Sequence, residues 1–255
     1  KLLIPVPSFE VQEFIGQIYY ELSRKIELNK RTNEILGDIS KALFKSWFID
    51  FDPIRVKIEG LPTGFSDTFS DLFPSSFIDS ELGEIPKNWE VKSLDEIATF
   101  LNGIALQKYP SEDNASNLPI IKIAQLRKGN TNESDKCSKH IEEKYIIRDG
   151  DILFSWSGSL LVDVWTGGLG ALNQHLFKVT SDIYKKWFIL SWTKYHLEEF
   201  QRIAKSKATT MGHIQRKHLS EAKTIIPPKD LMEKMNNIFE PLLERQINAR
   251  LESKF

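Results

Sequence analysis

Residues 9–48 read FEVQEFIGQIYYELSRKIELNKRTNEILGDISKALFKSWF. Val11, Ile15, Ile18, Leu22, Lys25, Asn29, Thr32, Leu36, Ile39 and Leu43 advance by alternating steps of four and three. That is a heptad seam, apolar at both ends and polar in the middle. No proline interrupts it, so the spacing predicts one helix, about 60 Å long at about 1.5 Å per residue. A helix of that length needs something to cover its stripe. It either folds back onto its own globular domain or pairs with a second helix. Asn29, with Asn33 beside it, costs stability at such a seam and fixes register or orientation. The helix is expected to end across Trp47-Phe48-Ile49-Asp50-Phe51-Asp52-Pro53, because Pro53 disfavours helix at Asp52. Trp47, Phe48 and Phe51 are costly to expose and are read as core anchors between helix and domain.

A second seam of the same kind closes the chain. Leu231, Met235, Ile238, Leu242, Arg245 and Ala249 repeat the four-three step, with Pro241 expected to kink the helix. A shift of 221 residues superposes Ile4 on Ile225, Pro7 on Pro228, Leu22 on Leu243, Arg24 on Arg245 and Ile26 on Ile247. The repeated element is a strand, a proline-rich turn and a long heptad helix. The first residue is Lys1 and the last, Phe255, falls in mid-helix, so the chain reads as part of a longer two-unit protein.

The interior has a different texture. Leu61–Ser80 carries Pro62, Gly64, Pro74 and many Ser, Asp and Phe residues, an irregular connector whose aromatics pack down. Strands are predicted at Trp89–Ser93, Ile120–Ile123, Asp151–Trp156, Gly170–Leu172 and Phe177–Val179, and helices at Asp95–Phe100 and Lys185–Ile203. The fold class is therefore α+β: a mixed domain over 61–226, a long coiled-coil-forming helix over 1–60, and a second helix beginning at 227–255. Charged residues make up 27% and hydrophobic residues 41%, the balance of a soluble globular chain. No apolar run is long enough for a membrane span and no leader opens the chain, so the cytoplasm is the expected compartment. The single cysteine, Cys137, excludes an intrachain disulfide framework.

The net charge of −1 conceals an asymmetry. Residues 61–110 hold three basic and eight acidic side chains, whereas residues 201–223 hold six basic and one acidic. The second block suits a polyanion, or is a solvated basic surface. Nothing argues for catalysis. No phosphate-binding loop or dinucleotide turn is present, and Gly167-Gly168-Leu169-Gly170 reads as a tight turn. The five histidines are scattered. Asp135 upstream of Glu142 and Lys144 only faintly imitates a metal-dependent nuclease. Asp149-Gly150-Asp151 is a turn feeding a strand.

Two stretches resemble the specificity subunit of type I restriction-modification enzymes. Leu43-Phe44-Lys45-Ser46-Trp47-Phe48-Ile49-Asp50-Phe51-Asp52-Pro53 is similar to that family's central conserved segment. Ser80-Glu81-Leu82-Gly83-Glu84-Ile85-Pro86-Lys87-Asn88-Trp89 is similar to the lead-in to its second target-recognition domain, with Asn88 where a glycine is usual. Gly150–Ser159 and Ile225-Ile226-Pro227-Pro228 also fit. The resemblance implies a non-catalytic reader of one half of a split site on double-stranded DNA. It implies conserved helices that pair antiparallel, within the full subunit or with a second copy. Methylation subunits would carry S-adenosylmethionine, this chain would bind no cofactor, and restriction subunits would join through them.

Base edges call for forked or two-ended polar groups, and phosphates for cations or small donors. Three places supply them. A strand through Lys122–Lys128 would put Gln125 and Arg127 on one side, followed by Lys128; its alternative is a soluble sheet edge. Ser155–Ser159 offers Ser157, with Gln174 nearby as an adenine reader; its alternative is a turn anchored by Trp156. The loop Lys205–Lys217 offers Lys205 and Lys207 for phosphates and Thr209, Thr210, His213 and Arg216 as directional donors. Two competing functions remain open: a protein-interaction scaffold dimerising through the long helix, and a nuclease.

Overall fold

The computed structural model describes residues 5–112, 117–206 and 212–254. The heptad stretch forms α1 (Phe9–Phe44), which continues as one π-turn over Lys45–Ile49, where the Asp50 amide donates to the Lys45 carbonyl. The π-turn adds a residue to the cycle and brings Trp47 and Phe48 together into the core. Phe51 then takes the left-handed conformation at φ +56°. Such a position costs about 1–3 kcal/mol for a non-glycine residue. Burial of its ring against Phe77 and Trp89 holds it there. Pro53 does more than stop a helix, as expected above. It sits in the first turn of a new one, α2 (Asp52–Ile58), where its missing N–H costs nothing.

The connector is largely irregular, with one helical turn, α3 (Asp67–Ser70), and its aromatics pack down as expected. Phe65, Phe69 and Phe73 close around Trp47. Next come the hairpin β1 (Phe77–Ser80) and β2 (Gly83–Pro86), then β3 (Glu90–Ser93), α4 (Leu94–Ile97) and β4 (Thr99–Asn102). The helix expected over Asp95–Phe100 is only this one turn, set by Ser93 and Glu96 as a capping box, and the chain becomes extended from Ala98. β5 (Leu118–Ile121), α5 (Ile123–Lys128), β6 (Lys136–Cys137), β7 (Ile146–Ile147), β8 (Ile152–Ser155), β9 (Leu161–Val164), β10 (Gly170–Leu172) and β11 (Leu176–Thr180) follow. The chain then runs through α6 (Lys186–Tyr195), α7 (Leu197–Ser206), α8 (Arg216–Glu221), β12 (Lys223–Ile226) and α9 (Lys229–Glu252). Helix α9 runs unbroken through Pro241, which lies on its exposed side.

An antiparallel sheet ordered β4-β11-β8-β9 carries the main core. A second sheet, ordered β6-β5-β10-β7, is mixed, with β5 and β10 parallel. Helix α6 lies between the main sheet and the helical base, burying Trp187, Phe188, Leu190 and Trp192. Trp187 stacks on Phe239 of α9 at 4.2 Å, and Trp192 meets Phe44 of α1 edge-on at 5.0 Å. Both long helices are thereby seated on one aromatic floor.

Helix α9 runs antiparallel along the C-terminal part of α1. Trp47 lies against Phe239, Gly37 beside Gln246, and Asn29 against Glu252. Asn29 is buried and donates to Glu252 at 3.2 Å, while Lys25 pairs with the same carboxylate at 3.2 Å. The polar centre of the seam therefore meets the end of α9. Upstream of it, Val11, Ile15, Ile18 and Leu22 are exposed. Among the described residues no helix is long and apolar enough to cross a membrane.

Candidate functional site

The strand register gives the main sheet two distinct ends. At one, Asn102 closes β4, Leu176 opens β11, Ser155 closes β8 and Leu161 opens β9. Three loops leave the sheet here, and a fourth segment is stitched to them. Ser157 and His213 form an antiparallel bridge, the Gly158 amide donates to the Gly212 carbonyl at 2.8 Å, and the Ile214 amide donates to the Trp156 carbonyl at 3.0 Å. Two of the three places picked from the sequence thus become one.

The side chains at this end are tied to one another. Trp156 Nε1 donates to Asn102 Oδ1 at 2.9 Å. The Trp156 ring packs on Phe177 and is flanked by His175 and His213, with centroids about 6 Å away. Ser157 Oγ lies 3.0 Å from His175 Nδ1, and Gln174 Nε2 lies 3.4 Å from His175 Nε2. Ser157 is buried, so its hydroxyl orients the His175 ring and does not itself reach outward. The Arg216 guanidinium lies 5.7 Å over the Phe177 ring and donates to the Phe100 carbonyl at 3.3 Å. His213 and Arg216 are exposed.

Beside this cluster is a cavity of about 350 Å³ floored by Gly158 and Gly212, with Lys205 from the last turn of α7 on its wall. A side chain at position 212 would not fit, because its Cβ would lie 2.2 Å from the Ala204 carbonyl oxygen. Backbone, the hydroxyl-bearing Ser159 and a lysine around a concavity can hold an anionic group. The rim of Gln174, His213 and Arg216 offers directional hydrogen bonds. Lys207, Thr209 and Thr210 lie outside the described residues.

The remaining place is at the other end of the sheet, and its expected form is overturned. Ile123–Lys128 is helix α5, so Gln125 and Arg127 do not share a strand face. Gln125 is buried, and its Oε1 accepts from the Lys122 amide at 3.3 Å. Glycine at position 129 ends the helix in the left-handed conformation at φ +70°. Arg127 and Lys128 are exposed and, with Lys30 of α1, Arg250 of α9 and Lys254 just beyond it, line a groove beside Trp165. Arg250 Nη1 bonds Asp163 Oδ2 at 2.8 Å and the Val164 carbonyl at 3.2 Å, tying α9 to β9. This end joins domain to helices.

Sequence reasoning missed Asn102 and gave no role to His175. The dipeptide Asn102-Gly103 was the available signal, being the strongest short turn marker in its segment. Among the described residues no three His, Cys, Asp or Glu side chains are grouped to hold a metal ion. Asp135 is instead paired with Lys122, and Glu142 with Lys144 at 2.7 Å.

Residues 86–253 match the family described as Type I restriction modification DNA specificity domain. The chain is 30% identical over 256 residues to the type I restriction enzyme MjaIX specificity subunit of Methanocaldococcus jannaschii, covering 96% of this chain and 55% of that protein. It is 25% identical over 301 residues to the HindI specificity subunit of Haemophilus influenzae, covering 98% and 66%. It therefore spans about half to two thirds of the length of these curated relatives. The crystal structure of a type I restriction-modification S subunit from M. genitalium superposes with a TM-score of 0.51 at 12% identity, covering 96% of this chain and 55% of that one. This last likeness is one of fold.

Proposed function

The chain belongs to the family of type I restriction-modification specificity subunits, and from that membership we propose that it reads one half of a bipartite site on double-stranded DNA and docks the methylation subunits. It has no catalytic duty in this reading. The observation that carries the proposal is the convergence at one sheet end of Gln174, His213 and Arg216 on a rim beside the Lys205 cavity. Directional groups beside a cation are what reading bases while gripping phosphate requires.

The parts divide accordingly. Residues 1–60 act as spacer and dimerising helix, 61–226 as the target-recognition domain, and 227–255 as the start of the distal conserved helix. The two helices pair antiparallel within the full subunit or with a second copy. Methylation subunits gather around them, carry S-adenosylmethionine, and bring in the restriction subunits. The setting is cytoplasmic.

Selection of bound duplexes from a random pool tests this reading, together with affinity at several salt concentrations. The expected result is a short enriched sequence and an affinity that falls steeply with salt as counterions are released. Lys205→Ala should weaken binding to selected and random DNA alike and make the salt slope shallower by about one unit. No enrichment, with salt-independent capture of protein partners, would favour the scaffold reading instead.

A further inference from the structure

The groove where the domain meets the two long helices lies at the end of the main sheet away from the reading loops. Its volume is about 380 Å³, within the roughly 300–1,000 Å³ range of small-molecule sites. Its lining carries more positive charge than the fold consumes. Lys128 is paired with Glu133 at 3.0 Å, and Arg250 with Asp163 at 2.8 Å. Lys30, Arg127 and Lys254 make no ion pair among the described residues. Against these three stands one lining carboxylate without an ion pair there, Glu34.

Between these cations sits a hydroxyl in need of a partner. Thr166 is only 5% exposed and lines the groove. Its Oγ1 makes no hydrogen bond among the described residues, yet it is not sealed from solvent. A buried hydroxyl ordinarily finds a partner, and here the groove is where one can come from. The turn that carries Thr166 is fixed on both sides. The Trp165 amide donates to the Asp151 carbonyl at 2.7 Å, and the Trp165 indole to the Gly168 carbonyl at 2.7 Å. The Gly168 amide donates to Asp149 Oδ1 at 2.7 Å. Asn33 also lines the groove, but its Oδ1 is sealed and does not oppose an anion there.

We propose that this groove binds a small polyphosphate, either inorganic pyrophosphate or the phosphate chain of a free nucleotide. Thr166 Oγ1 donates to a phosphate oxygen, while Lys30, Arg127 and Lys254 neutralise the chain. The forked guanidinium of Arg127 suits phosphate geometry, and the two lysines act as point charges. A duplex backbone presents its phosphates on a convex surface. It would meet the exposed cations and leave Thr166, nearly buried within the concavity, without its partner. The cations come from α1, α5 and the residues just beyond α9, so a bound chain ties the domain to both helices and stabilises the junction. The proposal does not depend on the DNA-reading function.

Calorimetric titration of the whole chain with pyrophosphate, and separately with ADP, tests it, alongside thermal unfolding with each probe. Saturable binding and a raised melting temperature are expected. Equal affinities mark the phosphate chain alone as the ligand, and tighter ADP binding marks a nucleotide. Arg127→Gln, an exposed change that leaves the core intact, should weaken pyrophosphate by about tenfold, and Thr166→Val by about threefold to tenfold. Lys205→Ala, in the cavity at the opposite sheet end, should leave the pyrophosphate affinity as it was. Absence of binding with both probes overturns the proposal. So does a loss on Lys205→Ala with none on Arg127→Gln, which places the anion at the loop end. A folded Thr166→Val variant that binds as the parent does reduces the groove to a basic surface and overturns it too. Displacement of pyrophosphate by random duplex, with Arg127→Gln weakening both alike, would make the groove a DNA-backbone contact instead.

Discussion

The aromatic floor under the long helices and the loop end of the main sheet solve opposite problems. At the floor, Phe44, Trp47, Phe48, Trp187, Phe188, Trp192 and Phe239 are buried against one another, with ring centroids mostly 4–6 Å apart. At the loop end the rings are fewer and include two histidines. Position there is set by backbone pairing between distant segments and by single hydrogen bonds to side-chain atoms. The floor tolerates little loss of volume but is indifferent to the identity of distant polar groups. The loop end carries little stability, yet depends on the direction of individual N–H and C=O groups. Stability and selectivity are thereby separated in space, so they should respond to different mutations.

The sharpest break of that separation is expected from Phe48→Ala. Phe48 is fully buried against Trp89, Trp187, Phe188 and Trp192. Its removal should cost about 3–5 kcal/mol in denaturant unfolding, while any folded fraction keeps its DNA preference. An intermediate effect is expected at Gly103→Ala. Its new methyl group would press on the backbone of Asn173 and Leu172, and small-to-large strain of this kind costs about 1–3 kcal/mol. Here unfolding and selected sequence should both shift, since position 103 supports Asn102 directly. A variant as stable as the parent with an unchanged site would show that the loop end is less rigid than its backbone pairing indicates.

The smallest effect belongs to the far end of the helix pair. Lys25 first, and then Asn29, hold the Glu252 carboxyl below its ordinary range. A group depressed in the folded state stabilises it above its unfolded pKa and loses that contribution as pH falls through the folded value. The wild type should therefore exceed Glu252→Gln in stability at neutral pH, with the difference closing as pH drops below the usual carboxylate range. Glu252 is exposed, so solvent keeps the difference small. Parallel denaturant titrations of the two proteins across that range check it, and a gap that persists in acid would refute the assignment.

These regions also differed in how much the sequence disclosed. The floor was legible because it is written in local periodicity and side-chain type. A helical repeat ran through residues 9–48, three aromatics stood at its end, and Trp and Phe recurred in Lys185–Ile203. The π-turn was not legible, since it changes only the hydrogen-bond step. At the candidate site, Ser157, Gln174, Lys205, His213 and Arg216 were picked for their chemistry. Their meeting depends on the bridge between Ser157 and His213, which no local pattern encodes. Gln125 failed for a related reason. Alternation over Lys122–Lys128 imitates a strand, and the cap that Gln125 makes to Lys122 is apparent only in three dimensions.

The junction from Lys45 to Phe51 has a practical corollary for chimera building. An α-helical step turns the chain by about 100° and advances it about 1.5 Å. Omitting or duplicating one residue there would swing the attached domain around the rod far more than it would translate it. The π-turn and the left-handed Phe51 together set that angle, and their rings contact both the rod and the domain. A transplant of the domain onto a foreign rod should therefore be cut upstream of Phe44, so that the hinge angle travels with the graft. A cut after Pro53 would leave the angle to the recipient.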